Sequence, residues 1–456
     1  MGFDTPFSGW MLVDSLESAK PTAAETTGEK YLLSCIIQLN EEPEPAATIQ
    51  QGLYFMVNLF SDEVRRNPYP LYDQMRTLSP LLYVPAPFDG WLIFDYQGVK
   101  RALNDQELFS SRVPAPRNWF IFFDSPEHTK LRGLISRAFT PKSIAAIESH
   151  ICELSRQLLE QAMRKTEFDL AMELSVPLPM KVIARMIGIP ATDWARFKRW
   201  SDSILKLSYA RGGGKEAQLA GREFNEVTGE MNEYLTVMIA ERRAKPEDDL
   251  LTRLIEAEMD GERLSQEEIL GFFQLLVVGG QETTTNLINN AILCFLENPD
   301  QLALVRSIPE LLTSAIEEAL RYRSPLQWVM RTPRRDMEIH GQVIPAGKLV
   351  LPMIGSANRD AQHFTDPNRF DIRRNPNPHI AFGHGIHSCL GAALARMEAR
   401  IALGDFLRLA PEFELASNEP WQPRRALHVH GPTNLALRVG WAKRGTSVLT
   451  ACPTGM

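Results

Sequence analysis

One cysteine stands out among the residues able to do chemistry. Cys389 closes the run HIAFGHGIHSC, with Gly383 and Gly385 before it and Gly391 just after it. From Ala392 onward strong helix formers follow, so the thiol is expected at a helix N-terminus. Free backbone N–H groups and the positive end of the helix dipole favour thiolate over thiol there and can donate hydrogen bonds to sulfur. Such a sulfur suits an electron-donating axial ligand to a ferric haem, its potential set by those hydrogen bonds. The glycines would let backbone approach a flat macrocycle, and Phe382 would shield the sulfur from water. The same cysteine also reads as an inert, buried residue in a Gly-rich turn.

A second cluster lies upstream. Ser265 and Glu268 form a capping-box pattern that opens a helical run able to continue to Pro299, roughly 32 residues or about 48 Å. Its stretch 269–280 is apolar on nearly every face, as expected of a helix crossing the interior. Gly279-Gly280-Gln281-Glu282-Thr283-Thr284-Thr285 then places two glycines, a carboxylate and three β-branched threonines mid-helix. All of these but the carboxylate weaken a helix, so the run suggests a local opening. Glu282 adds a charge to a dry neighbourhood. A tight helix crossing with a surface glutamate explains the same letters. Glu318 and Arg321, three apart, share a helix face and can pair, and His128 and Arg132, four apart, lie on one helix face. Taken singly, each is an ordinary structural or surface residue.

The elements that must position these residues are mostly helical. Apolar positions three and four apart mark helices over 143–164, 221–243, 266–297, 309–322 and 391–408. LLYVPAPFDGWLIF at 81–94 predicts two short strands and a turn, and strand patterns return at 337–352 and 427–440. The expected fold class is α+β, mainly α-helical, with a small sheet region built from segments distant in sequence. Residues 1–50, with EEPEPAA at 41–47, are expected to be a poorly ordered extension, leaving 51–456 as a single catalytic domain. At 44% apolar and 23% charged, the 456-residue chain has globular composition. A net charge of -7 argues against nucleic acid as a partner. The uncharged apolar runs are shorter than the roughly 18 residues of a membrane span, and no secretory signal opens the chain. Five scattered cysteines without metal-finger spacing fit a reduced, cytoplasmic setting.

Phe382, Gly383, Gly385, His387, Cys389, Leu390 and Gly391 resemble the haem-binding signature of the cytochrome P450 family. The resemblance spans roughly residues 57–440. It implies a long central helix over haem b (iron protoporphyrin IX), Cys389 as thiolate ligand to the iron, and His128, Arg132, Arg331 and His387 as propionate contacts. Glu282 and Thr283 resemble the family's acid–alcohol pair. By that likeness Thr283 hydrogen-bonds dioxygen on the haem's oxygen-binding face, and Glu282 relays protons so that the O–O bond breaks heterolytically. Glu318, Arg321 and Arg369 would form the scaffold behind the haem loop. The substrate pocket would be lined by Trp119, Phe120, Leu275, Val278, Gly279, Leu326, Val329, Thr433 and Asn434, an apolar surface for a hydrophobic small molecule such as a terpenoid, fatty acid, steroid or polyketide. The loop 208–214 would act as a lid.

The activity so implied is monooxygenation: one atom of O2 enters the substrate, by hydroxylation or epoxidation. The chain carries no iron–sulfur, flavin or nicotinamide fingerprint, so electrons must come from a ferredoxin or flavodoxin with its reductase. Lys130, Arg137, Lys142, Arg396 and Arg400 would receive that acidic partner. Two other readings remain at this point: a haem-thiolate enzyme of another class (peroxygenase, isomerase or dehydratase), and a non-catalytic haem-binding protein.

Overall fold

The computed structural model describes residues 52, 55, 58, 59, 61–85, 89–112, 119–209, 214–424 and 426–441. The expected N-terminal extension lies outside them, as does most of the expected lid loop.

The central helix runs Gln266–Glu297, 32 residues, with the predicted capping box formed: Ser265 accepts from the Glu268 N–H while the Glu268 carboxylate accepts from the Ser265 N–H. Asn298 ends it, and Pro299 opens the next helix. Nineteen of its side chains are buried. It is covered by the helices Pro177–Ile187, Trp194–Tyr209, Gly214–Ala244, Leu312–Tyr322 and Ala392–Leu409. A helix so enclosed must be apolar on all faces over most of its length, which is why its pattern shows little sidedness. The main core is built on it, with Phe273, Leu287, Ile288, Ile292 and Phe295 at its centre.

The predicted strands Leu81–Val84 and Gly90–Ile93 pair antiparallel, and Leu349–Pro352 adds in parallel to the second of them. A second sheet joins Glu412–Leu415 and Glu167–Asp169 to the two sides of Ala436–Gly440. Both sheets thus unite segments distant in sequence, as expected of an α+β fold dominated by helix. Two further apolar clusters flank the first sheet, one around Ile93, Val350 and Ile354 and the other around Phe55, Tyr72 and Phe94.

The expected helix over 143–164 is broken into Pro141–Ala145 and Glu148–Ala162, and the predicted strand at 427–440 is confined to Ala436–Gly440. Short amphipathic helices such as Tyr96–Asn104 and Glu127–Ala138 supply faces of the site although their periodicity is brief. No helix among the described residues is long and apolar enough to cross a membrane. Among the described residues Cys294 and Cys389 are free cysteines.

Candidate active site

The cysteine loop is held from behind. Gly383 and Gly385 take φ of 74° and 73°, the left-handed region that glycine adopts without strain. A side chain at Gly385 would meet the backbone carbonyl of Leu103 at 3.0 Å. The Cys389 N–H donates to Phe382 O at 2.8 Å, closing the turn. Arg396 lies over the Phe382 ring at 4.4 Å and forms a two-point ion pair with Glu317, which also binds His379. Burial pushes the Glu317 carboxyl up, but its bonds to Arg396 and His379 outweigh this and bring it to about 2.

Cys389 itself precedes the helix Ala392–Leu409 by three residues, with Gly391 as N-cap. Burial pushes its thiol up, against the opposing influence of the Gly391 N–H and the charges of Arg132 and Arg396. The helix-terminus effects expected from sequence are therefore present but smaller than the burial they oppose; deprotonation falls to a coordinated metal, which ionises a thiol outright. The residue as a whole is exposed although its sulfur is desolvated by the loop around it, and a Cβ added at Gly391 would meet nothing nearer than Sγ, at 4.0 Å.

His128, Arg132, Arg331 and His387 converge. The rings of His128 and His387 lie 4.0 Å apart, and both feel the charges of Arg132 and Arg331. Arg331 is buried, 6% exposed, and its Nη1 donates only to Met330 O. Arg132 donates to Ser388 O at 2.7 Å. His387 bonds Ser111 Oγ at 2.9 Å. Both ring nitrogens of His128 and the Nδ1 of His387 are buried without a protein partner. Burial lowers His128 to about 4 and His387 to about 3, and it lowers Arg331 to about 10. Buried donors crowded without acceptors are costly unless an anion joins them. Two carboxylates beside a macrocycle would satisfy this set, so the residues fit haem and its propionates.

Sequence reasoning missed Asp124, the one carboxylate among the described residues that acts on His128, Arg331 and His387 alike. Burial raises its pKa, but bonds from Ser110 Oγ and the Ser111 N–H, with Arg334 and Arg112 nearby, outweigh that and leave it below the ordinary range. It fixes the strand that carries Ser111 to His387. Its neighbours in DSPEHTKLR were the available signal.

On the central helix Glu282 is buried at 4% exposure, and Thr283 is half-buried, its hydroxyl donating to Gly279 O at 2.6 Å. That bond commits the proton, leaving the hydroxyl oxygen to accept. Gly279 is exposed amid buried turns, and a Cβ there would meet nothing within 4 Å. The helix itself is unbroken through 279–285, so the expected opening is not a break in it; Gly279 presents bare backbone to the space around it, one turn before Thr283.

The scaffold differs in one member from expectation. Glu318 and Arg321 are fully buried and paired through two bonds of 2.8 Å. The second guanidinium on Glu318 belongs to Arg374, at 3.2 Å from both carboxylate oxygens, with Asn377 alongside. Arg369 is exposed and enters the network through its backbone carbonyl, which accepts from Arg321 and Arg374. The chain turns between Asp366 and Asp371 so that 374, rather than 369, points inward.

Of the expected pocket residues, Trp119 and Phe120 are buried, Trp119 donating to Gln274 of the central helix at 3.1 Å and Phe120 packing on His128 and Phe272. Leu275 and Val278 pack on the same core, and Leu326 and Val329 on the cluster by the first sheet. Thr433 and Asn434 are exposed, and Thr433 is tied back to Gln422 and Pro423. In the expected docking face, Lys130 pairs with Glu262, Arg396 with Glu317 and Arg400 with Glu148, so much of its charge is neutralised. Arg137 and Lys142 are exposed, and no ion pair holds either among the described residues.

Comparison with known proteins joins this geometry to a family. The family model described as "Cytochrome P450" matches residues 217–307 and 308–429. A putative cytochrome P450, YjiB of Bacillus subtilis, is 43% identical over 359 residues, covering 78% of this chain and 90% of that protein. A vitamin D(3) 25-hydroxylase of Pseudonocardia autotrophica is 36% identical, covering 79% and 90%. Among solved structures, CYP109E1 of Bacillus megaterium in complex with testosterone is similar with a TM-score of 0.76 at 38% identity, covering 82% of this chain and 99% of that one.

Proposed function

The chain belongs to the cytochrome P450 family, whose members hold haem through a cysteine thiolate, and on that premise we propose that Cys389 is the thiolate ligand of a monooxygenase acting on a hydrophobic small molecule. The single observation that carries the assignment is a free, exposed cysteine in a glycine-shaped loop, supported by three buried ring nitrogens without a protein partner, both of His128 and the Nδ1 of His387, beside the guanidinium groups of Arg132 and Arg331.

Haem, when bound, supplies dioxygen activation with electrons from a separate donor. The chain's own residues do the rest. Arg132, Arg331, His128 and His387 hold the two propionates, and the neutral histidines donate one N–H each. Phe382, clamped by Arg396, keeps water from the sulfur. With haem bound, Thr283 would accept a hydrogen bond from the reacting oxygen species, because its own proton is held by Gly279 O. Glu282, buried on the same turn, moves protons toward that point.

The substrate reading follows the relatives. Trp119, Phe120, Leu275, Val278, Leu326 and Val329 provide apolar surface, and a steroid occupies one similar structure while a secosteroid is hydroxylated by another relative. A steroid-sized hydrocarbon skeleton is therefore the first class to assay. The electron donor is an acidic ferredoxin or flavodoxin, met at Arg137 and Lys142, the two of the five expected docking cations that have no ion pair among the described residues. With testosterone, a ferredoxin, its reductase and NADPH, wild type yields a hydroxylated product. Thr283→Ala consumes reductant at a similar rate but releases most of it as hydrogen peroxide. Equal product per NADPH in the two proteins would contradict the role given to Thr283.

A further inference from the structure

The central helix carries an unusual polar stripe. Glu282, Asn286 and Asn290 sit at i, i+4 and i+8, hence on one face, and are exposed by 4%, 0% and 0%. Asn290 Nδ2 donates to the carbonyls of Arg323 and His430, at 3.0 and 2.9 Å. Its Oδ1 has no partner in the protein, and neither does either amide atom of Asn286. Buried amides are rarely left in this state; ordered water is their usual partner where there is room.

There is room next door. Gly431 lies against Asn286 so closely that a Cβ there would stand 2.5 Å from Oδ1. Gly431 and His430 also line a cavity of about 20 Å3, closed by Arg65, Tyr72, Gln327 and Arg424, above the roughly 10–15 Å3 a water needs. His430 is oriented for the task. Its Nε2 bonds Arg66 O at 3.1 Å, so Nε2 carries the hydrogen and Nδ1, buried and without a protein partner, accepts. Arg424 Nε, on the cavity's far side, is a buried donor without a partner as well. Asn286 offers a donor and an acceptor, Asn290 Oδ1 and His430 Nδ1 accept, and Arg424 Nε donates, a set that water, donor and acceptor at once, can satisfy.

We propose that the face Glu282–Asn286–Asn290, the close contact of Gly431 with Asn286 and the cavity at His430 and Arg424 form a water-holding seam through which protons reach Glu282 from the surface near Arg65. It rests on the reading of Glu282 as proton relay. Monooxygenation, RH + O2 + 2 e− + 2 H+ → ROH + H2O, takes two protons per turnover from solvent, with electrons from the redox partner. Asn286 and His430 are positioning residues: they hold waters, whose protons hop, and neither changes charge. Of the cations that face the seam, Arg65 pairs with Asp62, Arg323 with Glu297, and Arg359 lies between the rings of Tyr69 and Tyr322, while Arg424 has no ion pair among the described residues.

The test uses the haem-loaded protein. Crystals of wild type should show waters on Asn286, Asn290 Oδ1 and His430 Nδ1. Asn286→Leu, close in size and apolar, should lose them, while Asn286→Ser should keep them. In turnover, Asn286→Leu should raise the peroxide share of consumed NADPH and the solvent deuterium isotope effect, slowing product formation about tenfold, and Asn286→Ser should stay near wild type. A dry seam in wild type overturns the proposal whatever the activities. So does an Asn286→Leu protein that lacks the waters yet keeps wild-type coupling and isotope effect. Glu282→Gln separates the two levels: if it alters coupling and the isotope effect while Asn286→Leu does not, only the seam is wrong. If Glu282→Gln changes neither, the relay itself falls.

Discussion

Three histidines show how burial sets chemistry at single residues. His128, His387 and His430 are each held neutral by burial, at about 4, 3 and 3. For His430, remote from any carboxylate that would raise it, the consequence for stability is direct. The unfolded imidazole binds a proton near pH 6.5, the folded one only near 3, so between these values the unfolded chain holds more protons. The contribution is complete above about pH 6.5 and is lost as pH falls toward 3. Denaturant midpoints measured across that range should fall for wild type. For His430→Phe they should start lower, because the bond to Arg66 is gone, and decline less. An equal decline in both proteins would show that His430 titrates normally when folded. At this scale the sequence spoke clearly for Cys389, because glycines and a helix start frame it within ten residues. It said less about Asp124, whose partners Arg112 and Arg334 lie far apart in the chain. The asparagines at 286, 289 and 290 were visible as polar letters in an apolar helix, but only the fold showed which face they share with Gly431.

Among the elements, the long central helix was legible because it carries its own start, its own stop and a continuous apolar body. The scaffold behind the cysteine loop was legible only in part. Glu318 and Arg321 share a helix turn and declare themselves, whereas the third charge comes from an irregular segment, where spacing says nothing about direction. Arg374 rather than Arg369 therefore carries the prediction. Arg374→Ala leaves part of the Glu318 carboxylate buried without its second guanidinium and should cost roughly 2 kcal/mol, held below a full loss because Arg321 stays paired. Arg369→Ala, exposed and engaged only through its backbone, should stay within about 0.5 kcal/mol. Denaturant unfolding of the two variants decides the matter, and the reverse order would return Arg369 to the network. The short helix Glu127–Ala138 shows the other limit: it is brief, yet it delivers His128 and Arg132 to one cluster.

For the molecule as a whole, helices enclose one long helix, and small sheets tie together segments hundreds of residues apart, an arrangement set by tertiary pairing that local patterns only hinted at. Its surface charge follows the same lesson. Five cations near the cysteine loop suggested a docking face, and three of them are spent on ion pairs. Charge reversal at Arg137 and Lys142 should raise the KM for an acidic ferredoxin and flatten its salt dependence with little change in kcat, whereas salt-independent kinetics in wild type would place docking elsewhere. All of these roles depend on the sulfur at 389 binding haem iron. The most direct test is the carbon monoxide difference spectrum of the dithionite-reduced, haem-loaded protein: wild type should give the red-shifted Soret band of thiolate ligation, and Cys389→Ser should lose it. The same band in Cys389→Ser, or its absence from wild type that retains haem, would contradict the assignment.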